Sequence, residues 1–193
     1  MTMSRIQSRA GFTLIDIMVT ITIMAIIMAG AVPGLIDVAS SMKIGQGQRD
    51  VEVELQTARQ MAVSHNRPIR VRFNCPVAGQ YRIVELIGTP SVPDVADSAS
   101  DRCSDVKWPY PAADNDPITR PNVDGPVKQL PSNVAFGAAS TLEFWPNGTV
   151  HQQSGTENPW LQVPTSGTAI TVTKGTIVKT ITVNGLGKIQ LVQ

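Results

Sequence analysis

Hydrophobic side chains are spread unevenly along this chain. From Ile17 to Ile36 no charged residue occurs, and most positions are Ile, Met, Val, Ala or Leu. Twenty residues at ~1.5 Å each rise about 30 Å, the thickness of a hydrocarbon core. The run predicts a membrane-spanning helix. Beyond it the pattern turns amphipathic. Val51, Leu55, Ala58 and Ala62 recur at i, i+4, i+7 and i+11, with Glu52, Glu54, Arg59 and Gln60 between them. That stripe needs a surface to lie on. Asn66 and Pro68 end the pattern, because the residue before a proline disfavours helical geometry. Gly45 and Gly47 fall at the junction, so Phe12 to about His65 reads as one kinked helix or as two; a continuous helix would span roughly 80 Å.

From Ile69 the period changes to two. Ile69, Val71 and Phe73 face one way, and Arg70, Arg72 and Asn74 the other. Further strands are predicted at Tyr81–Ile87, Thr141–Trp145, Thr149–Gln152, Ala169–Thr173, Thr176–Val183 and Lys188–Val192. Pro146-Asn147-Gly148 reads as a hairpin turn between two of them. The predicted fold class is α+β: a long N-terminal hydrophobic helix followed by a largely antiparallel β-sheet head.

Composition adds less than its distribution. The chain has 193 residues, 42% hydrophobic and 16% charged, with a formal net charge of +1. Charge is scarcer than the ~25% usual in soluble domains, which excludes a charged disordered protein. A net charge of +1 exerts no global pull on nucleic acid. Arg5 and Arg9 precede the apolar run and no acid comes before Asp16, so the positive-inside rule keeps residues 1–11 cytoplasmic and exports the rest. The run then has three readings: a plain anchor, a secretory signal cut at Ala29-Gly30-Ala31, or an element in which Asp16 has a task. A carboxylate at the edge of an apolar helix is costly and usually has a partner.

The residues favour the third reading. Gly11-Phe12-Thr13-Leu14-Ile15-Asp16 after a short basic leader resembles the type III signal of type IV pilins and type II secretion pseudopilins. The resemblance implies cleavage between Gly11 and Phe12 by the prepilin peptidase, N-methylation of Phe12, and retention of the apolar helix. Pro33, the 22nd residue after the cut, stands where many pilins carry a helix-kinking proline. The family nearly always has Glu where this chain has Asp16. In the family that acid lies near the amine of a neighbouring subunit, where two opposite charges offset each other's desolvation. Losing Arg5 and Arg9 with the leader changes the net charge to −1.

A second resemblance lies at the helix-to-strand junction. Leu55-Gln56-Thr57-Ala58-Arg59-Gln60-Met61-Ala62, followed by Asn66-Arg67-Pro68-Ile69-Arg70-Val71, resembles the GspH/FimT/FimU family of minor pilins and pseudopilins. The Phe144-x-Pro146-x-Gly148 turn and a closing strand pair over 180–192 fit the same family. The implied organisation is a leader at 1–11, a transmembrane and filament-core helix at 12–36, an amphipathic helix at 37–66, and a periplasmic β-rich head at 67–193. The implied function is a minor subunit that initiates or caps a type IV pilus or a type II secretion pseudopilus. Its implied partners are other pilin subunits, the prepilin peptidase and the inner-membrane assembly platform.

Residues 89–131 have no counterpart in that resemblance. They hold eight of the fourteen prolines and a run of acids at Asp94, Asp97, Asp101, Asp105, Asp114 and Asp116. The aspartates lack the D-x-D-x-D-G spacing of a calcium loop, so solvated loop charge is the better reading and no metal is expected. Cys75 and Cys103 are an even count in an exported segment, which favours a disulfide over two buried thiols. His65 and His151 sit in no catalytic motif and read as surface residues, so neither an enzyme nor a cofactor is expected. Arg59, Arg67, Arg70, Arg72 and Arg82 form a basic cluster. Arg70 and Arg72 share a strand face, and with Lys188 they are candidates for contacting DNA phosphates. The competing explanation is that these arginines pair with the acidic insert through the Cys75–Cys103 link.

Overall fold

A computed structural model describes residues 12–88, 95–98, 100–103, 124–153 and 160–192. The leader with Gly11, and most of the Pro/Asp-rich insert, lie outside the described residues. By their internal contacts the residues divide into two units, one up to Ser40 and one from Ser41 onward.

Helix α1 runs Leu14–His65 without interruption at Gly45 or Gly47, so one helix replaces the two-helix alternative. Its start is fixed locally. The Thr13 hydroxyl and backbone N–H both donate to Asp16 Oδ2, at 2.8 and 3.1 Å, and the Asp16 N–H points back at Thr13 Oγ1 at 3.4 Å. This is a capping box with Asp in the fourth position, satisfying donors the first turn leaves open. Its end is equally specific. Asn66 takes a left-handed φ of 52°, and the Arg67 N–H reaches the Ala62 carbonyl at 3.3 Å, closing a Schellman-type turn before Pro68.

In the second unit α1 lays the predicted stripe on a β-rich core. Val51, Leu55, Ala58 and Ala62 are fully buried, and Ile44 extends the stripe one step earlier. Gly47 lies on the same face, where a Cβ would sit 3.2 Å from Pro131 Cδ; it admits a close neighbour and does not loosen the helix.

Among the described residues ten strands follow: β1 Ile69–Phe73, β2 Gln80–Glu85, β3 Lys128–Gln129, β4 Ala135–Phe136, β5 Leu142–Phe144, β6 Val150–Gln153, β7 Trp160–Gln162, β8 Thr168–Lys174, β9 Ile177–Val183 and β10 Ile189–Val192. All pairings are antiparallel. They form two sheets, not the single one the pattern suggested, ordered β3-β2-β1-β5-β6-β7 and β10-β9-β8-β4. The sequence marked seven of the ten. β3, β4 and β7 are two or three residues long, too short for an alternation to register. The proposed Pro146-Asn147-Gly148 turn joins β5 to β6, with Gly148 at a φ of 84°.

The inner faces meet over one core. Ile69, Val71, Leu142, Phe144 and Val150 of the first sheet share it with Ile170, Val172, Ile181 and Val183 of the second. Phe136 of β4 packs edge-on against Phe73 and Tyr81, with ring centroids 5.0 and 5.7 Å away, and so ties the sheets together.

Candidate functional site

Two regions carry the residues singled out by the sequence. The first is the start of α1. Phe12 is 90% exposed, Leu14 76% and Ile26 70%, and the described apolar side chains through Ile36 are exposed alike. Within the first unit none of the described residues covers this surface. The helix is long and apolar enough to cross a membrane by length and composition. Polar groups within it are satisfied locally. Thr20 and Thr22 donate their hydroxyls to the Ile17 and Met18 carbonyls at 2.9 and 2.7 Å, which lets them sit in an apolar run. Asp16 is held by Thr13 in the same way. Pro33 is helical in its backbone; its side chain lies outside the described residues, as does Gly11.

Residues 6–32 match the prokaryotic N-terminal methylation motif. The chain has a pilin-like N-terminus. That motif covers the second half of the leader with Arg9, and Gly11, Phe12, Asp16 and most of the uncharged run. No curated protein sequence matches the chain. Two crystal structures of the type IV minor pilin FimU from Pseudomonas aeruginosa, in space groups P21 and P65, are similar to it at 14% identity. Their TM-scores are 0.47 and 0.44; the alignments cover 79% and 77% of this chain and 90% and 92% of those.

The second region is the outer face of the first sheet, and here the structure corrects the basic-cluster reading. Arg70 is only 5% exposed. Its Nε and Nη2 both donate to Glu143 Oε1, at 3.0 and 2.6 Å, directly across the β1–β5 register. Nη1 donates to the Asp97 carbonyl and to Ser98 Oγ, at 2.9 and 3.1 Å, and the guanidinium lies 4.4 Å over the Trp160 ring. A guanidinium so enclosed is not offered to DNA phosphates. Arg72 is half-buried and donates to the Ser98 carbonyl at 3.4 Å. Lys188 is exposed, but it stands beside Arg59 and is not grouped with Arg70 or Arg72.

Of the five clustered arginines, Arg70, Arg72 and Arg82 contact the insert, whereas Arg67 pairs with Glu85 at 3.3 Å and Arg59 reaches the Leu186 carbonyl. Arg82 donates to the carbonyls of Gly125 and Arg102 at 2.5 and 2.6 Å. Arg102 is 1% exposed and forks onto Asp124, at 3.1 and 2.6 Å, with further donations to Asp97 Oδ1 at 3.4 Å and the Glu85 carbonyl at 2.5 Å. Asp97 accepts the Ile87 and Gly88 N–H groups at 2.7 and 3.1 Å, so this aspartate is a structural acceptor. Cys75 and Cys103 form a disulfide next to Arg102, closing a separation of 28 residues. Burial pushes the Glu143 and Asp124 carboxyls up, with Arg70 and Arg102 beside them offsetting part of that cost.

His151 is not the surface residue the sequence suggested. It is 6% exposed and stacks on Trp145, with centroids 3.5 Å apart and planes at 16°. Its cross-strand neighbours are Glu143 and Gln162. Its Nδ1 is buried without a hydrogen-bond partner among the described residues, and burial pushes its pKa down. His65 is exposed as expected. Glu143, Arg102 and Asp124 escaped sequence reasoning because each lies far along the chain from its partner. Thr13 was legible in principle, as a Thr-x-x-Asp preceding an apolar run.

Proposed function

We propose that this chain is an assembly subunit of a type IV pilin-like filament, a minor pilin or pseudopilin that initiates or caps a pilus or secretion pseudopilus. The observation that carries the reading is the methylation motif at residues 6–32 on a helix whose apolar side chains are left uncovered. The prepilin peptidase cuts between Gly11 and Phe12, and Phe12 is N-methylated. The 12–36 segment resides in the inner membrane with residues 67–193 in the periplasm, and then passes into the filament core with Pro33 on its helix. There its apolar faces are covered by the helices of other pilin subunits, and the inner-membrane platform drives the transfer.

Asp16 has a defined part in this scheme. Thr13 satisfies its carboxylate while the subunit stands alone. A neighbouring subunit's Phe12 amine supplies the opposite charge once the helices pack in a low-dielectric bundle. The test is intact-mass analysis of protein extracted from membranes that contain the peptidase. A chain beginning at N-methylated Phe12 is expected. A chain beginning at Val32, or one retaining residues 1–11, would overturn the reading.

A further inference from the structure

The second unit contains a cavity of about 320 Å³ lined by Gln56, Arg59 and Gln60 of α1 and by Gly187, Lys188 and Ile189 at the β9–β10 turn. Its two cations are unlike the other arginines. Arg59 and Lys188 are exposed, and neither has a carboxylate partner among the described residues. The turn is shaped to receive Arg59. Gly187 has a φ of +75°, and a Cβ there would fall 2.7 Å from Arg59 Nε and 2.8 Å from the Gly148 carbonyl oxygen. Its absence lets the guanidinium lie against the turn, where Arg59 Nη2 reaches the Leu186 carbonyl at 3.5 Å.

The backbone of the turn offers no donors to a ligand. Asn184 Oδ1 takes the Leu186 and Lys188 N–H groups at 3.1 and 2.8 Å, and the Asn184 carbonyl takes that of Gly187 at 2.9 Å. The Gln56 amide points to Glu52 one turn earlier, at 3.3 Å. The side-chain donors that line the cavity are therefore Lys188, the Gln60 amide and the N–H groups of Arg59 other than the one on Leu186.

We infer that this cavity is an oxyanion site, formed by Arg59 and Lys188 with Gln60, that receives one carboxylate side chain from another protein subunit. Two cations suit a single anionic group, since a planar fork and a point charge can engage the same carboxylate. Nucleic acid fits less well. It needs a track of phosphate contacts, and Arg70, Arg82 and Arg102 are spent on buried partners. Only the source of the carboxylate rests on the reading as an assembly subunit.

The test uses the full-length chain in an uncharged detergent. An N-acetylated, fluorescently labelled peptide of alternating Glu and Asp is titrated by anisotropy, with inorganic phosphate and a single-stranded DNA dodecamer as competitors. One peptide should bind per chain and phosphate should displace it. Arg59→Gln and Lys188→Gln should each weaken binding about tenfold, equivalent to ~1.4 kcal/mol. Lys188→Arg should retain it, and Lys43→Gln, at an exposed lysine elsewhere on α1, should not change it. Unaltered peptide binding in both Gln variants, with melting curves matching the parent, overturns the site. DNA binding stronger than peptide binding, with a salt dependence of several phosphates, overturns the partner. Neither result depends on processing at Phe12, so the filament reading stands or falls separately.

Discussion

Replacing Glu143 by Ala tests whether the buried pair with Arg70 holds the outer face of the first sheet together. The two side chains are 6% and 2% exposed, and the pair closes at 2.6 Å. Removing the carboxylate strands a guanidinium away from water, which typically costs 3–5 kcal/mol. Arg70 keeps the Asp97 carbonyl, Ser98 Oγ and the Trp160 face, so the low end, about 3 kcal/mol, is expected. For a domain of this size that is a fall in Tm of roughly 6–12 °C. Joint replacement, Arg70→Met with Glu143→Leu, removes both charges and should return stability to within about 1 kcal/mol of the parent. Urea unfolding of the oxidised full-length chain, followed by the summed fluorescence of Trp108, Trp145 and Trp160, reads both variants. A Glu143→Ala loss below about 1 kcal/mol, or a double variant no better than the single one, would refute the reasoning.

Other expectations follow from particular contacts. Gly185→Ala would set a Cβ 1.9 Å from the Val163 carbonyl oxygen, so the β9–β10 turn must move away; thermal melting should show a loss of at least 2–3 kcal/mol. Leu55→Ala empties a fully buried place on the helix stripe and should cost 2–5 kcal/mol in the same assay. Cys75→Ser with Cys103→Ser releases a 28-residue loop, worth about 3.5 kcal/mol in the chain-entropy model, and a dithiothreitol-treated parent should lose a like amount. His151 has a folded pKa below its ordinary 6.5, so the unfolded chain binds the proton more readily. Stability should therefore be lost as pH falls through 6.5, relative to His151→Asn at each pH. That subtraction cancels the shared titration of Glu143 and the fixed charge of Arg70, the ionised groups on the neighbouring strands.

The helix and seven strands were legible because each carries its own periodicity, from the Val51-to-Ala62 stripe to the Ile69-Val71-Phe73 alternation. What was not legible depends on distant partners. Arg70 and Arg72 looked like one solvent-facing pair, since alternation distinguishes the two sides of a strand but not whether the outer side is covered. The covering comes from Asp97 and Ser98, and Arg102 with Asp124 fastens it. Likewise His151 follows a hairpin and looks exposed until Trp145, six positions earlier, folds over it. The N-terminal motif was the most readable part because its information is contiguous.

The Arg70–Glu143 pair also polices alignment. In an antiparallel sheet a slip of one residue turns every side chain to the opposite face. A slipped β1 would drive Arg70 and Arg72 into the layer where Val51, Leu55 and Phe144 meet, and a slipped β5 would do the same to Glu143. Each would then be an unpaired charge in an apolar core, far costlier than any pairing energy the correct register gains. The pair accordingly works less as a bond in the finished fold than as a toll on wrong ones, set on β5, a strand of three residues.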